Sequence, residues 1–360
     1  MSKASNRQFR VALIGTESLV AQELREALAA SSLPLKSIEF YDPGVEEEYS
    51  QLTEFKGEAK VIHHPDGYLL EGLDLVFLAA DGQTNLEFGR LARDKGFRAI
   101  DLVGSFSGEL EIPAVVAGVN DKILDNKEIW LVANPRPLSI ILSQVLFTLA
   151  SSLPVVRALA VGLQPVSVFD QAGLEELAEE SFALLSGENY ERKIFPEQIA
   201  FNSFPLAEKT APAGQVWQEA QLEEQIKKIL TGKDIKLTLS LVQVPVFHGY
   251  SLMLYTELAE NREIADIENA LKKNRLFKYF PADDSQLIST RLVAGKDEIF
   301  IGHLRKTQNK PTGFWLWVAA DNLSAGSASN ALALARRMLG IGWILVKWRC
   351  PDDSQYDRLC

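Results

Sequence analysis

The chain has 360 residues, enough for two domains with sizeable cores, and its 47% apolar and 24% charged fractions are those of a soluble globular protein. A formal net charge of -11 argues against a nucleic acid or an anionic membrane surface as partner. Cys350 and Cys360 are the only cysteines, a pattern that excludes a disulfide scaffold or thiolate metal cage and suits a reducing cytoplasm.

The N-terminus is basic but carries no apolar segment of signal-peptide length, which again favours a cytoplasmic protein. Residues 9–14 are a short apolar run ending at Gly15. Val20, Leu24, Ala27 and Leu28 then recur at helical spacing until the breakers Ser31, Ser32 and Pro34. Strand, glycine turn and helix open a dinucleotide-binding βαβ unit. The acidic stretch at Glu46, Glu47 and Glu48 reads as solvated loop. Residues 73–80 and 97–103 are further apolar runs, with a helical pattern over 85–95 between them. With 129–133 they predict a doubly wound, largely parallel sheet.

A strand over 129–132, a tight turn Asn134-Pro135-Arg136-Pro137 and an apolar helix over 138–149 follow. A strand-to-helix turn is where an α/β enzyme presents a nucleophile, because the helix N-terminus offers unpaired N–H groups. Pro137 has neither a nucleophilic atom nor a backbone N–H. Beyond it lie a strand over 155–163 ending at Gln164, amphipathic helices over 172–185 and 215–230, and an extended link over 195–205. Residues 235–247 begin with apolar-polar alternation, and 251–258, 297–304 and 314–320 are further strands. Strand-rich sequence after an α/β start predicts a second α+β domain. A last helix is expected over 327–345. The apolar run 338–348 is interrupted by Lys347 and is too short to span a bilayer.

The glycine turn reads Gly15-Thr16-Glu17-Ser18-Leu19-Val20-Ala21. A dinucleotide fingerprint uses three glycines, for the turn, the approach to pyrophosphate and helix packing. Here the first alone survives, and Glu17 brings a carboxylate toward the phosphate position. Small Ser18 and Ala21 still allow the turn. His63 and His64 read as a polar surface loop and His303 as an exposed strand position. His248 sits where a strand breaks into a turn, either structural or an acid/base group. No serine stands in a nucleophile elbow, and no metal-ligand spacing is present.

The strings VALIG at the start, NPRPLS from Asn134, LQPVS around Gln164 and PEQIAFN over 196–202 carry a resemblance. So do VPVFHGYS from Val244, AGKDEIFIGHLR from Ala294 and LWVAADNLSAGSASNA from Leu316. Nearly end to end, the chain resembles the aspartate-semialdehyde dehydrogenase family, and within it a divergent branch of Usg-like paralogues. The resemblance implies a Rossmann-type NAD(P)-binding domain over 1–134, with 325–360 returning to it. It also implies a dimerisation and substrate domain over 135–324, in a homodimer. In that family a cysteine attacks the aldehyde, hydride passes to NADP, and phosphate releases the acyl group.

The resemblance places the family's nucleophile at Pro137, its basic histidine at Tyr250 and its carboxylate-gripping arginine at Gln243. Aligned on Lys228-Ile229-Leu230, its phosphate-contacting lysine falls on Gln221 and its amine-contacting glutamate on Gln225. The glutamine beside the nucleophile is kept as Gln164. Arg136 is a cation beside the old nucleophile position, either a surface residue or a contact for an anionic ligand. Gly15, Thr16, Ser18, Val20, Asn134 and Asn322 are left as a weak cofactor groove, so NADP is expected to bind weakly or not at all. Coordinated loss of nucleophile, base and clamp implies a non-catalytic binding or structural homodimer. The other reading is an NAD(P)-dependent oxidoreductase of amino-acid biosynthesis with altered chemistry, acting on a semialdehyde through a cleft lined by Asn134, Arg136, Gln164, Gln243, His248 and Tyr250.

Overall fold

The computed structural model describes residues 7–46, 51–106, 109, 111–205 and 219–341. The first sheet is built from β1 (Phe9–Ile14), β2 (Leu35–Tyr41), β3 (Gln51–Phe55), β4 (Glu58–His63), β5 (Leu75–Leu78), β6 (Arg98–Asp101) and β7 (Leu131–Ala133). Its order is β3-β4-β2-β1-β5-β6-β7, parallel except for the β3–β4 pair. Helix α1 (Leu19–Ala30) covers one face through Ala21, Leu24 and Leu28. Helices α2 (Gly82–Arg90) and α3 (Ala92–Lys95) cover the other through Phe88 and Ala92. β1 pairs with β2 on one side and β5 on the other. The chain therefore reverses direction across the sheet at the carboxyl end of β1, where open α/β sheets form their ligand crevice.

The second sheet begins after α4 (Pro137–Ala150), with β8 (Val155–Gln164), then α5 (Asp170–Ser186), β9 (Phe204–Pro205), α6 (Glu219–Ile229), β10 (Lys236–Gln243) and β11 (Tyr250–Leu258). It continues with α7 (Ile264–Lys272), β12 (Phe277–Tyr279), α8 (Thr290–Val293), β13 (Ile299–Lys306) and β14 (Gly313–Ala320). The order is β12-β13-β14-β11-β8-β10-β9. One face is covered by α4, α6 and α7, whose Leu142, Val145, Ile226 and Leu271 join Ala158, Leu252 and Leu316 in one core. Each fully buried Leu or Ile there contributes roughly 1.5–3 kcal/mol. α9 (Ser329–Met338) returns to the first sheet, packing Ala331, Leu334 and Ala335 beside Leu24, Phe77 and Ile100.

Two local expectations are corrected. The acidic stretch is exposed at Glu46, as expected of a solvated loop, while Glu47 and Glu48 lie outside the described residues, and a β3–β4 hairpin follows. Its two-residue turn, Lys56 and Gly57, has positive φ at both positions, the geometry that suits the twist of a hairpin. His63 closes strand β4 rather than sitting in a loop, although it and His64 are exposed. The last helix stops at Met338, followed by Gly340 at φ +72°, a left-handed residue of the kind that ends helices. Residues 342–345 of that expectation, and both cysteines, lie outside the described residues.

Candidate active site

A cleft of about 280 Å³ lies between the two sheets, among α1, the start of α4, the end of β8 and the start of β11. β7 delivers Asn134 and the turn, and α4 begins at Pro137 as its first helical residue, a position that proline's fixed φ favours. Pro137 lines the cleft with Arg136, Gln164 and Tyr250. Behind it, a single turn of π-helix over Ser324–Ala328 presses against α4. A Cβ on Gly326 would stand 2.9 Å from Cβ of Pro137, so glycine is what admits the proline there.

The polar groups of the cleft bond to one another. Gln164 Nε2 donates to Gln243 Oε1 at 3.1 Å, and Gln243 Nε2 donates to the Gln164 carbonyl at 3.0 Å. The Tyr250 hydroxyl donates to Gln164 Oε1 at 2.9 Å. β8 pairs with both β10 and β11, which is why these three positions meet at adjacent strand ends. Tyr250 and Gln243 are buried. Burial drives the phenol well above its ordinary pKa, against a smaller opposing pull from Arg136. Such a phenol does not accept a proton at neutral pH.

Arg136 is half-buried rather than a surface residue. Burial lowers its pKa, opposed chiefly by the nearby Asp101 carboxylate. Asp101 itself is raised by burial and held back by the Phe106 and Val103 amides and by Arg136. The Arg136 amide donates to Gln225 Oε1 at 3.2 Å, placing Gln225 beside the turn. Gln221, one turn away on α6, is exposed and does not line the cleft. His248 is outside the cleft lining, and burial lowers its pKa against the opposing charge of Asp321. His303 is exposed. Among the described residues no group of three or more His, Cys, Asp or Glu is placed to hold a metal, and no helix is long and apolar enough to cross a membrane.

The groove at the carboxyl end of β1 is equally engaged. Gly15 turns at φ +87°, and a Cβ there would stand 2.3 Å from the Ala80 nitrogen, so this glycine is required by the approach of the β5 end. Thr16 donates through N–H and Oγ1 to Asp42 Oδ2 at 2.7 and 2.9 Å. Ser18 caps α1 by accepting from the Ala21 amide at 3.3 Å, and Val20 lines the cleft. The first amide of α1, on Leu19, donates to Asp170 Oδ1 at 2.8 Å. Glu17, the carboxylate singled out in the sequence, is exposed. Asp42 and Asp170 were not legible as partners, because neither stands in a local motif with the group it binds. Asn134 is buried between Ser327 and Asn330, and Asn322 between Ser167 and the Gly249 amide. A dinucleotide diphosphate needs backbone amides at the turn and helix start. Those of Thr16, Leu19 and Ala21 donate to oxygens of the chain itself.

Residues 10–127 match the family model described as the semialdehyde dehydrogenase NAD binding domain, and residues 147–325 match that of the semialdehyde dehydrogenase dimerisation domain. The aspartate-semialdehyde dehydrogenase of Synechocystis sp. is 26% identical over 344 residues, covering 93% of this chain and 99% of that one. That of Rickettsia bellii is 26% identical over 335 residues, covering 92% and 98%. Among solved structures, aspartate semialdehyde dehydrogenase II from Vibrio cholerae aligns with a TM-score of 0.85 at 25% identity, covering 93% of this chain and 99% of that chain.

Proposed function

We propose a function from one premise: this chain belongs to the semialdehyde dehydrogenase family. It is a member that has lost the dehydrogenase reaction and serves as a non-catalytic binding or structural homodimer, in the manner of the Usg-like paralogues it resembles. Its units are the nucleotide-type domain of 1–134 with 325–360, and the dimerisation domain of 135–324. One observation carries the reading. At the positions where the resemblance puts nucleophile, base and clamp stand Pro137, Tyr250 and Gln243, and Tyr250 and Gln243 hydrogen-bond to Gln164.

Acyl transfer through a thiohemiacetal needs a polarisable nucleophile and a group to take its proton. Pro137 supplies no nucleophile, and a phenol raised by burial takes no proton. Gln243 offers neutral amide bonds, each contributing about 0.5–1.5 kcal/mol, where a carboxylate wants a charged bidentate partner, whose bonds contribute about 1.5–3 kcal/mol. The purified protein is expected to show no phosphate-dependent reduction of NADP with aspartate semialdehyde above the rate without protein. Turnover above that background overturns the reading. Calorimetry is expected to give a dissociation constant for NADP weaker than roughly 0.1 mM, and micromolar binding restores the oxidoreductase alternative.

A further inference from the structure

Helix α1 runs for 12 residues and aims its positive end at the cleft. Its first amide, Leu19 N–H, donates to Oδ1 of Asp170, 151 residues away in sequence. The same oxygen accepts from the Gln171 amide at 2.9 Å, so one carboxylate serves the N-termini of α1 and α5 together. Asp170 does this from a backbone at φ +60°, ψ -156°, a region that belongs to glycine because a β-carbon crowds it. A side chain kept on such a backbone is retained by the contacts it makes, and the contact made here bridges the first sheet's leading helix to the second sheet's domain.

We propose that Asp170 is a built-in occupant of the anion seat at the start of α1. Its carboxylate stands where one phosphate of pyrophosphate or of a dinucleotide would stand, and it latches the cleft across its two walls. This rests on the reading that nucleotide affinity is weak, and it assigns the cause to Asp170 rather than to Glu17 or to the missing glycines. A phosphorylated ligand finds the Leu19 amide taken and a negative charge beside it, so it binds after Asp170 swings off both helices. Exposed Glu17 acts only through solvent-screened repulsion.

Isothermal calorimetry with inorganic pyrophosphate and with NAD tests this on the full chain and three variants. Asp170→Gly fits the backbone without a β-carbon, keeps the fold as read by its melting temperature, and is expected to bind both ligands at least about tenfold tighter than the unmodified chain. Asp170→Asn removes the charge but keeps an acceptor for Leu19, so its gain is smaller. Glu17→Gln is expected to change affinity by less than about twofold. If Asp170→Gly and Asp170→Asn both bind as weakly as the unmodified chain, or if Glu17→Gln gains as much as Asp170→Gly, the proposal is wrong while the weak-affinity reading stands. Micromolar binding by the unmodified chain instead defeats the weak-affinity reading itself. Should Asp170→Gly fail to fold, Asp170→Asn still decides between the outcomes.

Discussion

Glu23, in the second turn of α1 and facing Asp321 and Ser324, has been pushed up to about 7 from an ordinary carboxylate value of 4.5. Burial is the main cause, Asp321, Glu26 and Asp297 add repulsion, and a bond with Ser324 opposes them. The folded chain therefore holds a proton that the unfolded chain releases. That stabilisation is complete below about pH 4.5 and is lost as pH rises through about 7, a change of about 3 kcal/mol. Urea unfolding of the parent and of Glu23→Gln across that range should give a parent curve that falls with pH relative to the variant. Curves that stay parallel would contradict it. Single residues were unequally legible in the sequence. Pro137, Tyr250 and Gln243 announce themselves because each interrupts a short specific string. Asp170 and Asp42 do not, because an acid before a helix or after a strand looks like an ordinary cap, and its partner lies far along the chain.

On the scale of elements, α5 shows how buried charge holds an irregular segment in place. Glu176 and Glu180, one turn apart and both buried, accept from the amides of Lys193, Ile194 and Phe195 and of Ile199 and Ala200, at 2.6–3.0 Å. Five backbone donors are satisfied in this way rather than by a sheet, three of them in the extended link read from the sequence over 195–205 and two just before it. Glu176→Ala strands three of them, and should cost about 3 kcal/mol in denaturant unfolding. Amide exchange at 193–195 should accelerate with it; an unchanged midpoint would show that the link holds itself. The helices and central strands were readable because their apolar periodicity is strong. The β3–β4 hairpin was not, because Leu52 and Val61 point to solvent and leave no clean alternation. The end of the last helix was overrun because the apolar sequence continues past Gly340 while the backbone turns there.

At the scale of the whole molecule, the second sheet turns one face away from α4, α6 and α7, and among the described residues α8 covers the β13–β14 end of that face through Leu292 and Val293. Across three of its strands lie two apolar rows, Leu159–Tyr255–Trp315 and Val161–Met253–Trp317, each paired in register and each partly exposed. Such a face is what an isologous two-fold contact would bury, and light scattering at micromolar concentration should report a dimer. Leu159→Lys with Met253→Lys should give a folded monomer; a chain that is already monomeric would remove the homodimer from the account. The two-domain α/β plan was legible because each domain follows one alternation of elements. The cleft between them was not, because it is assembled from the starts of α1, α4 and β11, the segments that follow β6 and β8, and Asp170. The central claim is that the site has been dismantled as a set, not disabled by one missing atom. The initial rate of NADPH formation from aspartate semialdehyde and phosphate by the Pro137→Cys variant tests it most directly. The account predicts no rate above background, because Tyr250, Gln243 and Asp170 remain; phosphate-dependent turnover by that single variant would contradict it.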